Sequence, residues 1–152
     1  MSQTKELIST LNSLIETLKD GQEGFRQASE AVKDSQLKTL FSEYSLQRAK
    51  FVGELQNHVI HLGEPDPEKT SSTAGALHRA WMNLKSAITK QDDHAILEEC
   101  ERGEDSALAE FKRAMEANLP EPVRDAVSRQ YTAVKAVHDH VKALRDASKN
   151  PA

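Results

Sequence analysis

Gln22, Arg48, Glu104 and Gln130 each interrupt an otherwise apolar helical stripe. In an antiparallel helical arrangement they fall within roughly one turn of a common height, at about 1.5 Å per residue. A polar layer across a helical core is either a site or a structural device that is costly to bury. The chemistry to test first is divalent-metal binding, which calls for carboxylates and imidazoles. This layer instead offers one carboxylate, two amides and a guanidinium that stays protonated and repels a divalent cation. The residue types therefore favour a buried Arg48–Glu104 pair, with the two glutamines satisfying leftover donors and acceptors.

Two further sets of residues have ligand chemistry. Glu101 and His138 flank the layer and, with Glu104, would make a smaller mononuclear site; the competing reading is a partly exposed ion pair. Glu54, His58 and His61 form a stripe at helical spacing where a surface ion could meet one carboxylate and two imidazoles. Histidines are also what a helix C-terminus favours through its dipole. The cofactor implied is a divalent metal (Fe, Zn or Cu), or none where the ion-pair and dipole readings hold. Cys100 sits between Ile96, Leu97 and Glu104, which suits a small core residue better than a nucleophile. Tyr44 and Tyr131 lie near the layer and could be redox-active or simply satisfied core tyrosines. Asp92-Asp93-His94 reads as a capped, acidic helix start. No nucleophile–base pair or Gly-rich phosphate loop stands out, so no catalytic residue is assigned and the enzyme question stays open.

These residues require long helices to position them. A first helix from Thr4 to Val32 follows from Leu7, Leu11, Leu14, Ile15, Leu18, Phe25 and Ala28, with Gly21 and Gly24 weakening its middle. The stripe changes phase at Lys33-Asp34-Ser35, where Asp34 or Ser35 caps a second helix over 34–62. Gly63-Glu64-Pro65-Asp66-Pro67 is the strongest break. A shorter connecting helix over 73–89 presents Leu77, Trp81, Leu84 and Ile88 on one face, beside His78-Arg79, which could meet an anionic partner. A third long helix over 92–117 and a fourth over 120–147 follow, with Pro122 in the first turn of the last. Two antiparallel hairpins joined by a long connection predict an all-α, ferritin-like up-down four-helix bundle, with the second and third long helices parallel.

The chain has 152 residues, 38% of them hydrophobic and 29% charged, which suits a single domain spanning 1–152 with a real core. A net charge of −4, with basic residues interspersed among acids, gives no footprint for nucleic acid. The start MSQTKELISTLNSL lacks a basic, apolar and small-residue succession, and no stretch reaches membrane-spanning length, so the expected location is cytoplasmic, with no membrane partner. One cysteine supports neither a disulfide framework nor a multi-thiolate zinc site.

Three segments carry a family resemblance: LNSLIETLKDGQEGF from Leu11 to Phe25, LHRAWMNLK from Leu77 to Lys85, and ECERGED from Glu99 to Asp105. The chain resembles a bacterial family of ferritin-like four-helix-bundle proteins of unknown function. The resemblance implies the architecture and brings no activity with it. Diiron sites on this architecture use Glu-x-x-His pairs on two helices, and none occurs here. The functional expectation is a non-catalytic structural, interaction or stress-associated bundle with a degenerate diiron position, acting as a homo-oligomer or with a protein partner. The alternative is a metal-binding ferritin-like protein with an oxidase or storage function.

Overall fold

The computed structural model describes residues 2–63, 81 and 83–148, and no strand occurs among them. The helices are α1 (Ser2–Ala31), α2 (Ser35–His61), α3 (Leu84–Thr89), α4 (Asp93–Met115) and α5 (Glu121–Ser148). No helix among the described residues is long and apolar enough to cross a membrane.

Local chemistry sets the helix ends. Asp34 is the N-cap of α2, its Oδ1 accepting from the amides of Gln36 at 2.7 Å and Leu37 at 3.3 Å. At the far end of α2 the chain leaves through Gly63 at φ 102°, a left-handed conformation that costs glycine nothing. Asp92 caps α4 by accepting from the His94 amide, and Lys112 and Arg113 lie in the last turn of that helix, where its dipole favours cations. Of the connecting helix expected over 73–89, positions 73–80 and 82 lie outside the described residues, and the regular helix begins at Leu84. Leu77, His78 and Arg79 are likewise outside them.

Two contacts settle the chain direction. Lys33 and Asp34 donate their amides to Asp93 Oδ1 and Oδ2 at 2.9 and 3.1 Å, so α4 starts beside the α1–α2 turn. His94 Nδ1 lies 2.6 Å from Ser148 Oγ, which brings the end of α5 to the same place. Helices α2 and α4 therefore run parallel, as the long connection requires. The neighbouring pairs are α1 with α2, α4 with α5, α1 with α4 and α2 with α5, leaving α2 and α4 across a diagonal. Because the Asp93 carboxylate satisfies two amides from another turn, Asp93→Ala is expected to destabilise the fold by about 1–2 kcal/mol. A urea titration in which this variant keeps the parent midpoint would remove that role.

The core lies in two parts. One contains Leu11, Leu14, Leu18, Leu55, Phe111 and Val127; the other contains Phe25, Phe41, Ile96, Leu97, Val137 and Val141. Each of these side chains contributes roughly 1.5–3 kcal/mol by leaving water. Between the two parts lies the polar pair on which the functional question turns.

Candidate functional site

Arg48, at mid-α2, and Glu104, at mid-α4, are both fully buried. They meet across the diagonal in a two-pronged ion pair: Nη1 donates to Oε2 at 2.8 Å and Nη2 to Oε1 at 2.5 Å. The fork matches the carboxylate geometry, which is the strongest form of this interaction. Nε donates to Gln47 Oε1 at 3.2 Å, and the guanidinium carbon lies 5.4 Å from the centre of the Phe25 ring. Gly21 makes the room, since a Cβ there would stand 3.1 Å from Arg48 Nη1.

Aromatic residues close the pair on one side. Phe25 contacts Tyr44 and Trp81, each with ring centres 5.3 Å apart and edges turned to faces. The Tyr44 hydroxyl lies 2.7 Å from His140 Nδ1, and burial, reinforced by the charge of Glu104, pushes its pKa up to about 12. Burial, with Glu104 and Glu99 nearby, also holds the Cys100 thiol well above its ordinary range, so it is a protonated core residue. Two surface grooves, of about 720 and 550 Å³, lie at opposite ends of the bundle, and neither is lined by Arg48 or Glu104.

The two glutamines do not belong to this layer. Gln22 is half-buried, and its main-chain carbonyl accepts from Ser45 Oγ at 2.8 Å. Gln130 is fully buried but sits lower, its Nε2 donating to Glu54 Oε1 at 2.9 Å. The reason is register. The same α2–α5 alignment that pairs Glu54 with Gln130 pairs Tyr44, ten residues earlier, with His140, ten later. Ala136, not Gln130, is therefore level with Arg48.

The expected surface set also comes apart. Glu54 is held by Arg129 as well as Gln130, and Arg129 above all keeps its carboxyl below the usual range despite the opposing effect of burial. His61 Nδ1 lies 2.7 Å from the Asn57 carbonyl one turn back, a local contact at the helix end. Among the described residues, Glu54, His58 and His61 do not bring three ligand atoms together; Glu101, Asp105 and His138 do, with all three atoms within 4.8 Å of one another.

That second group corrects the expected trio of Glu101, Glu104 and His138. Positions 101 and 105 are one turn apart and share a face of α4, whereas Glu104 is turned into the core. His138 Nε2 lies 2.6 Å from Asp105 Oδ1, and Nδ1 lies 3.0 Å from Asp139 Oδ1. Partial burial of His138 opposes its charged form, but the bonds to Asp139 and Asp105 outweigh it and raise the imidazole pKa above its ordinary value. Glu101 Oε1 is 2.6 Å from Arg145 Nη1. Neither Asp105 nor Asp139 is among the ligands expected from the sequence; the i, i+4 spacing of Glu101 and Asp105 is the signal for the first.

Gly24, expected only to weaken the middle of α1, and Gly103, which carried no expectation, have a packing role. A Cβ on either would approach the Trp81 indole to 2.4 Å, at Cε3 from Gly24 and at Cε2 from Gly103. The two glycines form a slot for that side chain, and Gly103 lies within the ECERGED segment, while Gly24 lies within LNSLIETLKDGQEGF.

No curated protein matches the chain. A family model does match it, over residues 6–117, which carry Arg48 and Glu104, the slot glycines and two of the three flanking ligands. With most of its length covered, the chain belongs to the family described as Domain of unknown function (DUF2383).

Proposed function

We propose that this protein is a ferritin-like bundle in which an ion pair takes the place of the central metal, and that it acts as a non-catalytic interaction protein. The observation that carries this reading is the fully buried Arg48–Glu104 pair. A guanidinium with both prongs on the Glu104 carboxylate does not fit a diiron centre, which needs several carboxylates and imidazoles facing one cavity. The parallel α2 and α4, joined by the long connection, support the ferritin-like assignment.

The interaction reading draws on the outer side of α2. Leu46 and Ile60 are 66% and 50% exposed, and Gly53 stands midway between them with open space where a Cβ would be. Successive steps of seven residues keep all three on one stripe. A two-fold axis at Gly53 would lay Leu46 of one chain against Ile60 of a second, an isologous contact with close helix approach. The occupant we assign to this stripe is therefore a second copy.

Light scattering of the full chain is the test. A dimer is expected, together with a monomer of unchanged helicity for Leu46→Glu/Ile60→Glu. A strictly monomeric parent protein would overturn the interaction reading. Iron that co-purifies stoichiometrically and is lost in Glu104→Ala would instead favour the metal-binding alternative.

A further inference from the structure

We propose that Glu101, Asp105 and His138 form a site for a first-row divalent cation on the α4–α5 flank, and that Arg145 stands in for the cation when the site is free. The site is separate from the Arg48–Glu104 pair and does not depend on the function proposed for it.

Three observations converge. The first is the donor set: one imidazole and two carboxylates with ligand atoms within 4.8 Å, a combination suited to Mn, Fe or Zn, with coordination positions left open for water. The carboxylates come from consecutive turns of one helix and the imidazole from its antiparallel neighbour, so rigid elements hold all three. The second is the orientation of the imidazole. Asp139 accepts from Nδ1 at 3.0 Å, which leaves Nε2 directed at Asp105. A carboxylate behind the non-coordinating nitrogen is the usual support of a metal-binding histidine. Burial is graded as such a site requires: the Glu101 and His138 side chains are 11% and 13% exposed, while Asp105, at 60%, opens the site to solvent.

The third is Arg145. Its Nη1 lies 2.6 Å from Glu101 Oε1, while Nη2 already lies 2.7 Å from Asp146 Oδ1. One anionic ligand, Glu101, is thus neutralised in the free protein by a cation with a second anchor, while Asp105 is paired with His138. When a divalent ion binds, Glu101 exchanges the guanidinium for the metal, Arg145 stays with Asp146, and the proton on His138 Nε2 leaves to solvent. The positive charge at the ligands is exchanged, not simply added.

The experiment uses the full chain without a histidine tag, titrated with Zn²⁺ by calorimetry and with Co²⁺ by visible absorption. One equivalent is expected to bind, with affinity reduced at least about tenfold in Asp105→Asn and in His138→Gln, and by about 10–100-fold in Asp139→Asn. Arg145→Gln is expected to bind several-fold more tightly, because the competing cation is gone; a mere surface ion-pair cluster has no such response. Circular dichroism checks each variant, and the near-isosteric Glu101→Gln replaces any that fails to fold. Absence of saturable binding to the parent protein would overturn the site. So would unchanged binding in the Asp105→Asn/His138→Gln double variant, which would place the metal on other histidines.

Discussion

Arg48→Ala is expected to lower the free energy of unfolding by about 3–5 kcal/mol. The loss comes mainly from the partner left behind. Glu104 is fully buried, and its two oxygens accept from the two prongs of Arg48 at 2.8 and 2.5 Å. Without the guanidinium the carboxylate must stay charged in an apolar surrounding or take up a proton, and either course costs stability. Phe25 also loses the cation packed against its ring. The double variant Arg48→Met/Glu104→Leu separates stability from function. Removing both charges together leaves nothing stranded, so its stability is expected to be equal to the parent or higher by about 1–4 kcal/mol. Urea denaturation followed by circular dichroism measures both. An unchanged midpoint for Arg48→Ala would show that the pair is not buried as described.

Gly103→Ala is expected to destabilise the fold although alanine is the better helix former. Propensity alone predicts a gain of about 1 kcal/mol. The added Cβ, however, would stand 2.4 Å from Trp81 Cε2, and the ring also lies against Gly24, where a Cβ would stand 2.4 Å from Cε3. The indole cannot yield in both directions, so overpacking of about 1–3 kcal/mol sets the sign. Gly24→Ala is expected to behave alike, and the double variant to be worse than either. Trp81 is the only tryptophan, so its fluorescence reports the slot directly: the emission maximum is expected to move to the red as the ring is pushed out. In a Trp81→Ala background Gly103→Ala should become neutral or stabilising. A stabilising Gly103→Ala in the parent protein would refute the slot.

Much of the helical framework was legible because a repeating apolar stripe, a capping aspartate and a Gly/Pro break act locally. Asp34, one of the two caps expected for α2, and Asp92, in the capped acidic start expected for α4, are the N-caps, and the long helices end within a few residues of their expected bounds. The burial of Arg48 opposite Glu104 was legible too, since a lone charge on an apolar stripe needs a counter-charge. Counting residues from turns did not place Gln130, because helices packed side by side are free to slide by a turn or two until their side chains interlock. The pairing of Glu54 with Gln130 and of Tyr44 with His140 shows where α2 and α5 came to rest.

Azimuth was the second obstacle. Glu104 and Asp105 are adjacent in the chain but 100° apart around the helix. One enters the core and the other joins Glu101 and His138, and stripe counting near the edge of a buried face cannot divide them. The glycines illustrate a third limit: a missing side chain gives no signal of what occupies its space. By itself the sequence determined the helices, their caps, the buried pair and the need for a long connection, all consequences of local periodicity and unsatisfied charge. Only the tertiary structure decided which polar residues share a level, which carboxylate meets His138 and why Gly24 and Gly103 are small, because register, azimuth and free space between helices are properties of packing.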